Sequence, residues 1–234
     1  MVGRETLRMG RSIAAAIAIA CLSSLPFAPC ARGAAGETHF EPAHAISVSD
    51  VAVPIQSLAN GTVVLNVTVS EKGEVGDVQA RRDIASITEQ AIRSIKTWKF
   101  APARLNGNAV ASIVTVAVTF NPAPPLSANV PLPPLVQQSE RAPIHLDFHP
   151  AGVTQATFPT YPVNALNPGT VILEASINEA GRVHQTSVLR DAPPFTASAL
   201  RAVGDWRFIS ANLNGMPVES KAVLVFCFRQ SVTY

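Results

Sequence analysis

The sequence predicts an α+β protein made of two tandem ββαβ modules, each with one helix packed on a small antiparallel sheet and joined by a proline-rich linker. Residues 61–120 realign on residues 169–228 at a constant offset of 108 without a gap, and 21 of the 60 positions are identical. In each copy, apolar residues first alternate and then recur at helical spacing. The repeat is far longer than the roughly 20–50 residues of a solenoid unit. We therefore expect a duplicated small domain.

Residues 1–35 have the pattern of a secretory signal peptide. Arg4, Arg8 and Arg11 precede an apolar run from Ile13 to Leu22, and small residues follow. This order is typical of a cleaved signal, and the run is shorter than the roughly 20 residues of a membrane-spanning helix. An uncleaved inner-membrane anchor or a lipid anchor on Cys21 remains an alternative. We expect an exported, periplasmic protein.

Charge and composition argue against nucleic acid as a partner. Without residues 1–35, the chain keeps 14 basic and 15 acidic residues. A nucleic-acid-binding domain needs a basic face that attracts phosphates. The basic character of the full chain comes from the leader, so no nucleic-acid binding is expected.

Each copy begins with a hairpin. In copy one, Val63, Leu65, Val67 and Val69 alternate with their neighbours, which predicts a half-buried strand. Gly73 follows in a tight turn, where a positive φ is needed. A return strand follows at 75–81. The same elements are expected at 171–177, 178–181 and 183–189 of copy two.

A helix and a last strand complete each copy. Ser86 and Glu89 have the spacing of a capping box, and an apolar stripe follows at helical spacing. The stripe consists of Ile84, Ile87, Ala91, Ile92, Ile95 and Trp98 in copy one, and of Phe195, Ala199, Leu200, Val203 and Trp206 in copy two. The final strands are predicted at 110–120 and 218–228. We expect both tryptophans to be core residues rather than ligand platforms.

The module boundaries follow from these elements. Module 1 is predicted at 46–121, the linker at 122–143 and module 2 at 144–230. Six of the 14 residues from Asn121 to Pro134 are proline, which favours an extended polyproline spacer. We expect each module to fold on its own around its own core.

The chain offers little that resembles a catalytic centre. His145, Asp147 and His149 alternate in an extended segment and could face one metal ion. A fourth ligand at suitable spacing is missing, and a polar linker edge explains the same residues. Cys227 lies in an apolar run, which indicates a buried thiol rather than a nucleophile. We therefore expect no metal, no cofactor and no enzymatic activity.

The landmarks of the repeat resemble the C-terminal domain of the TonB energy-transducer family. Copy one carries Trp98-Lys-Phe-Ala-Pro102 followed by Asn106-Gly107, and copy two carries Tyr161-Pro162 and Trp206-Arg-Phe208. The resemblance implies a periplasmic module that binds an extended peptide of an outer-membrane transporter by adding it as a strand, in association with transmembrane transport. The Ser-x-x-x-His motif of the family's membrane anchor is absent before His39. Coupling to a proton-driven motor is therefore left open.

The resemblance also implies where a partner strand would bind, namely along the last strand of each copy. The candidate edge residues are Val110, Ser112, Val114, Thr115, Val116, Val118, Phe120, Val218, Ser220, Ala222, Val223, Leu224, Phe226 and Phe228. The expected partner is an outer-membrane transporter or another envelope protein, bound through β-augmentation. Contact with the membrane would come only through such partners or a lipid anchor. The alternative is an envelope scaffold or dimerisation module whose edges are already paired.

Overall fold

A computed structural model describes residues 39–51, 61–122, 147–165 and 167–229. The predicted signal peptide, nearly all of the predicted linker, and His145 lie outside these residues. The described strands and helices follow the same order in the two copies, and the predicted α+β class is confirmed. The short strands before each hairpin and directly after each helix were not predicted.

The elements of copy one are β1 (Phe40–Glu41), β2 (His44–Ser47), β3 (Gly61–Val69), β4 (Val75–Arg82), α1 (Ala85–Ile95), β5 (Lys99–Ala101), β6 (Ala103–Leu105), β7 (Asn108–Val110) and β8 (Ser112–Pro122). Those of copy two are β9 (Phe148–His149), β10 (Gly152–Gln155), β11 (Gly169–Ile177), β12 (Val183–Arg190), α2 (Thr196–Gly204), β13 (Arg207–Ile209), β14 (Ala211–Leu213), β15 (Met216–Val218) and β16 (Ser220–Arg229). Each predicted last strand consists of two strands in the structure, because Ala111 and Glu219 interrupt the strand.

The two copies share one six-stranded sheet. Its strand order is β12-β11-β16-β8-β3-β4, so the last strands of the copies lie side by side at its centre. β8 and β16 pair in parallel, from Thr115 opposite Ala222 to Pro122 opposite Arg229. All other neighbours in this sheet pair antiparallel. Two hairpins and two last strands thus form a continuous backbone hydrogen-bond network.

The helices cover opposite faces of this sheet. Val63, Leu65 and Val67 of β3 pack in the core that contains α1, whereas the intervening Val64 packs in the core that contains α2. Since side chains alternate between the faces of a strand, the two cores lie on opposite sides. Each core also holds strand residues from the other copy. Ile172, Val223, Val225 and Cys227 join the α1 core, and Val64 and Ala117 join the α2 core.

The first strand of each hairpin, β3 or β11, is buried on both faces at its centre, so the predicted half-buried strand is wrong there. Val64 is 1% exposed and Ile172 is 0% exposed, although both face away from their own helix. The physical reason is that the other copy covers the second face. Two separate cores were expected, and the structure instead combines strand residues of both copies in each core.

Helix α1 begins without the capping box that was predicted for copy one. Ile84 is the N-cap residue of α1 and makes no side-chain cap hydrogen bond. Instead, the Ile84 N–H donates to Oγ1 of Thr88 at 2.9 Å. In α2 the Ala192 N–H donates to Oγ1 of Thr196 at 3.0 Å. A threonine inside the first turn therefore fixes the chain that enters each helix.

The helical stripe is confirmed over most of its length. Ile87, Ala91 and Ile95 are fully buried, and Ala199 and Val203 are buried in α2. Leu200 was assigned to the stripe but is 39% exposed. That assignment was wrong because the buried face of α2 consists of Ser198, Ala199, Ala202 and Val203, and Leu200 lies beside this face.

The hairpin glycines connect each turn to the strand after the helix. Gly73 has φ +78° and Gly181 has φ +72°. A Cβ atom would lie 1.9 Å from the Phe100 carbonyl oxygen at the first position and 2.0 Å from that of Phe208 at the second. The two phenylalanine N–H groups donate to the glycine carbonyls at 3.0 and 2.9 Å. Only glycine permits this close backbone approach.

Both tryptophans are core residues, as predicted. Trp98 and Trp206 are 1% and 0% exposed, and their indole N–H groups donate to the carbonyls of Ser49 and Thr157 at 3.1 Å. We expect Trp98→Ala and Trp206→Ala each to lower the free energy of unfolding by about 3–5 kcal/mol. Because the cores share strands, each variant should unfold in one transition in urea. Ile46→Ala, at an exposed site, is the control, and near-wild-type stability of either tryptophan variant would contradict this core.

Candidate peptide-binding edges

The residues predicted to receive a partner strand lie mainly at the centre of the shared sheet. Between Thr115 and Phe120, β8 is paired with β3 on one side and with β16 on the other. The equivalent residues of β16, from Ala222 to Phe228, lie between β8 and β11. Val110 and Val218 end the preceding short strands, and Ser112 and Ser220 begin β8 and β16. In this arrangement, the backbone edge of β8 that was predicted to bind a partner strand pairs with β16, and the corresponding edge of β16 pairs with β8.

A buried carboxylate connects the copies next to this pairing. Glu174 of β11 is 7% exposed. Its Oε1 pairs with Nζ of Lys221 at 2.8 Å, and its Oε2 accepts the Ala45 N–H of β2 at 2.8 Å. Glu174 and Lys221 belong to copy two, whereas Ala45 belongs to copy one. The positions equivalent to Glu174 and Lys221 in copy one are Asn66 and Ile113, so the same ion pair cannot form there.

Further contacts join the segment before each hairpin to the strands of the other copy. Oγ1 of Thr115 donates to the Ala151 carbonyl at 2.6 Å, and Arg190 pairs with Asp50 at 2.7 Å. The rings of Phe40 and Phe148 lie 5.2 Å apart. The two copies are thus joined by backbone pairing, buried apolar packing and side-chain hydrogen bonds.

Cys227 lies in β16, where the two copies are joined by the pairing of β8 with β16; this pairing and the contacts around it are called the junction below. Cys227 is 1% exposed and is paired with Phe120 across the two central strands. Burial raises the pKa of its thiol to about 12, because an apolar interior disfavours the charged thiolate. The thiolate is the reactive form, so the structure supports a structural role for this residue, as the sequence predicts.

The edges without a paired neighbour in the described sheet are the outer sides of β4 and β12. β4 carries the charged residues Asp77, Arg81 and Arg82. From Val183 to Leu189, β12 has no Asp, Glu, Lys or Arg, and its Val188 is 44% exposed. Charged side chains on an edge strand discourage pairing with another chain. β12 is therefore the less protected of the two outer edges.

The histidine segment shows no metal-binding geometry in the described part of the chain. Nε2 of His149 lies 3.3 Å from Oδ1 of Asp147, and both side chains are exposed. Among the described residues, no group of three or more His, Cys, Asp or Glu side chains is placed to hold a metal ion. His145, the third residue of the candidate set, is outside the described residues.

Comparison with known proteins identifies the family of both copies. Residues 55–122 and 155–229 each match the family described as the Gram-negative bacterial TonB protein C-terminal, and together they span more than half of the chain. No curated protein matches the sequence. Neither described helix is long and apolar enough to cross a membrane.

The Glu174 contact generates a stability prediction. Glu174→Ala leaves the buried Ala45 N–H without its acceptor and Lys221 without its partner. We expect the free energy of unfolding to fall by about 1.5–3 kcal/mol, as for other hydrogen bonds to charged groups. The matched control is Asn66→Ala at the equivalent position, with an expected loss of no more than about 1 kcal/mol. Equal losses in urea titrations of the two variants would contradict the special role of Glu174.

Cys227 provides a probe of the junction. In a chain with Cys21 and Cys30 replaced by serine, we expect iodoacetamide at pH 8 to leave Cys227 unmodified in the native state. Below a pKa of about 12 the thiolate is scarce, and the side chain is buried. Modification should appear in step with unfolding as urea is raised. Rapid alkylation without denaturant, followed by mass spectrometry, would show that β8 and β16 separate readily.

Proposed function

The chain belongs to the family of the Gram-negative bacterial TonB protein C-terminal, and on that premise we propose that it is a periplasmic protein that binds extended peptide segments of envelope partners by strand addition. Outer-membrane transporters are the proposed partner class, which associates the protein with transmembrane transport. The family is generally non-catalytic, and strand addition needs no reacting group. Backbone N–H and C=O groups on an edge supply affinity, and alternating side chains supply selectivity.

One observation supports this proposal most: the shared sheet ends in two strands, β4 and β12, that have no paired neighbour on their outer sides. Each strand is eight residues long. An edge of this length offers backbone groups to an incoming strand over several residues. The paired central strands meanwhile give both edges a rigid support.

If both outer edges bind a partner strand, the width of the shared sheet sets the distance between the two sites. Five spacings of about 4.8 Å separate β4 from β12, so the two edges lie about 24 Å apart across the sheet. A partner with two extended segments gains avidity only if its own linker spans that distance. A dimeric or two-segment partner therefore suits this protein better than one short isolated segment.

The candidate residues on β8 and β16 remain proposed binding residues for a conformation in which these two strands are no longer paired. They would become receptive only if the two central strands separated, and separation would break the Glu174 and Thr115 contacts. Separation would also uncover Val64 and Ile172, which are buried by the other copy. We therefore expect capture at the outer edges to need less rearrangement.

A scaffold is the second candidate function. The observation that favours it is the parallel pairing of β8 with β16, because the edges that the family resemblance implies for partner binding are occupied within the chain. In this alternative the paired copies form a stable unit that organises other envelope proteins without capturing a transporter segment.

Photo-crosslinking separates these functions. A photoreactive phenylalanine analogue would replace Ala80 on β4, Ser187 on β12 or Val116 on β8, one at a time, in the whole exported chain. Strand capture at the outer edges predicts crosslinks from positions 80 or 187 to an extended segment of an outer-membrane transporter. Crosslinks from position 116 alone would assign capture to separated central strands. No transporter crosslink from any position, with the chain folded, would favour the scaffold.

A further inference from the structure

One backbone bridge differs in charge between the two copies. In copy one, Glu74 lies directly opposite Lys99, just before β4. The equivalent bridge of copy two, just before β12, brings Arg182 opposite Arg207. The two copies share the backbone pairing at this bridge, but the paired side chains have opposite charges in copy one and the same positive charge in copy two.

Two cations at this position need a physical explanation. Directly opposed residues in an antiparallel bridge have neighbouring side chains, and like charges there are destabilising. Among the described residues, no carboxylate forms an ion pair with either arginine. Nη1 of Arg207 donates to the carbonyls of Gly204 and Trp206 at 3.0 and 2.7 Å, which holds this side chain at the end of α2. Arg182 is exposed.

The arginine pair lies at one end of the unprotected edge. Arg207 of β13 forms a backbone bridge with Arg182, and β12 then continues from Val183 to Arg190 as the last strand of the sheet. A strand added along β12 would therefore end beside Arg182 and Arg207. Between the two arginines of this edge, Arg182 and Arg190, no Asp, Glu, Lys or Arg interrupts the strand. His184 lies there, and its Nε2 is 3.5 Å from Oε1 of Glu219.

We propose that β12 receives an extended peptide whose carboxylate binds between Arg182 and Arg207. This inference rests on the proposed function and adds to it the edge that is used and the chemistry of the segment. Guanidinium groups match carboxylates in planar, charge-assisted hydrogen bonds. The carboxylate belongs to an Asp or Glu side chain or to the carboxyl terminus of the segment. β4 lacks this selectivity, because Glu74 and Lys99 already oppose one another with opposite charge.

A peptide-display selection tests the proposal on the whole chain. Random ten-residue segments would be displayed in two libraries, one with a constant tail after the segment and one ending at the free carboxyl terminus of the segment, and both would be selected against the wild-type protein. We expect enriched segments of the tailed library to carry Asp or Glu at one fixed end if a side chain supplies the carboxylate, and enrichment only in the free-terminus library if the terminus does. Amidated synthetic forms of the enriched segments should retain binding if a side chain supplies the carboxylate, and free-acid forms without Asp or Glu should bind if the terminus does. Enrichment without any requirement for a carboxylate would overturn the proposal.

Arg182→Glu is the decisive variant. It recreates the opposed charges of copy one, so the thermal unfolding temperature should stay the same or rise. Affinity for the selected acidic peptides should nevertheless fall by about tenfold or more, since a charge-assisted contact is replaced by repulsion. Glu74→Gln is the matched control in copy one and should leave affinity unchanged. Equal affinity of the wild type and Arg182→Glu would overturn the inference.

The position at which a peptide binds distinguishes this inference about β12 from the more general proposal of strand capture. A photoreactive group within a selected peptide should crosslink to residues 183–190. Crosslinks to β4, β8 or β16 instead would overturn this inference and leave strand capture in place. A selection that enriches no segment at all would contradict both this inference and the proposed function.

Discussion

The parallel pairing of β8 with β16 is the constraint on which the rest of the molecule depends. It joins two hairpins into one sheet and turns the second face of each hairpin toward the other copy. Val64 and Ile172 are buried for that reason, and Cys227 lies in the core of the opposite copy. The Glu174 carboxylate then connects β11 to β2 across the junction. Each of these contacts requires the two central strands to lie side by side.

Because of this pairing, the strands available to a partner lie at the two outer edges of the sheet and not at its centre. A module with a free last strand would expose that strand to a partner, whereas the paired form leaves β4 and β12 as outer strands. The two edges differ, although they arose by duplication. β4 carries charges of both signs, whereas β12 has an uncharged central stretch beside two arginines. Duplication has thus allowed one edge to diverge while the core positions stayed similar.

The repeat, the hairpins, the helices and the core tryptophans could be predicted from the sequence because each has a local pattern. Pairing between the last strands could not be predicted in the same way, because an apolar strand has the same alternation whether its edge is free or paired. The continuous apolar runs around Ile172 and Val225 carried a partial signal, since strands buried on both faces lose their alternation. The exchange of Glu74 and Lys99 for Arg182 and Arg207 is visible in the repeat alignment, but only the backbone bridge shows that the two arginines face each other.

Amide hydrogen exchange of the whole folded chain, followed residue by residue by NMR, tests the central pairing most directly. If β8 and β16 form one sheet, the amides of Val116–Val118 and Val223–Val225 should exchange only through global unfolding, with the slowest rates of the protein. Amides on the outer sides of β4 and β12 should exchange much faster. Central amides that exchange as fast as those of the outer edges would show that the two copies are separate modules and would contradict this account.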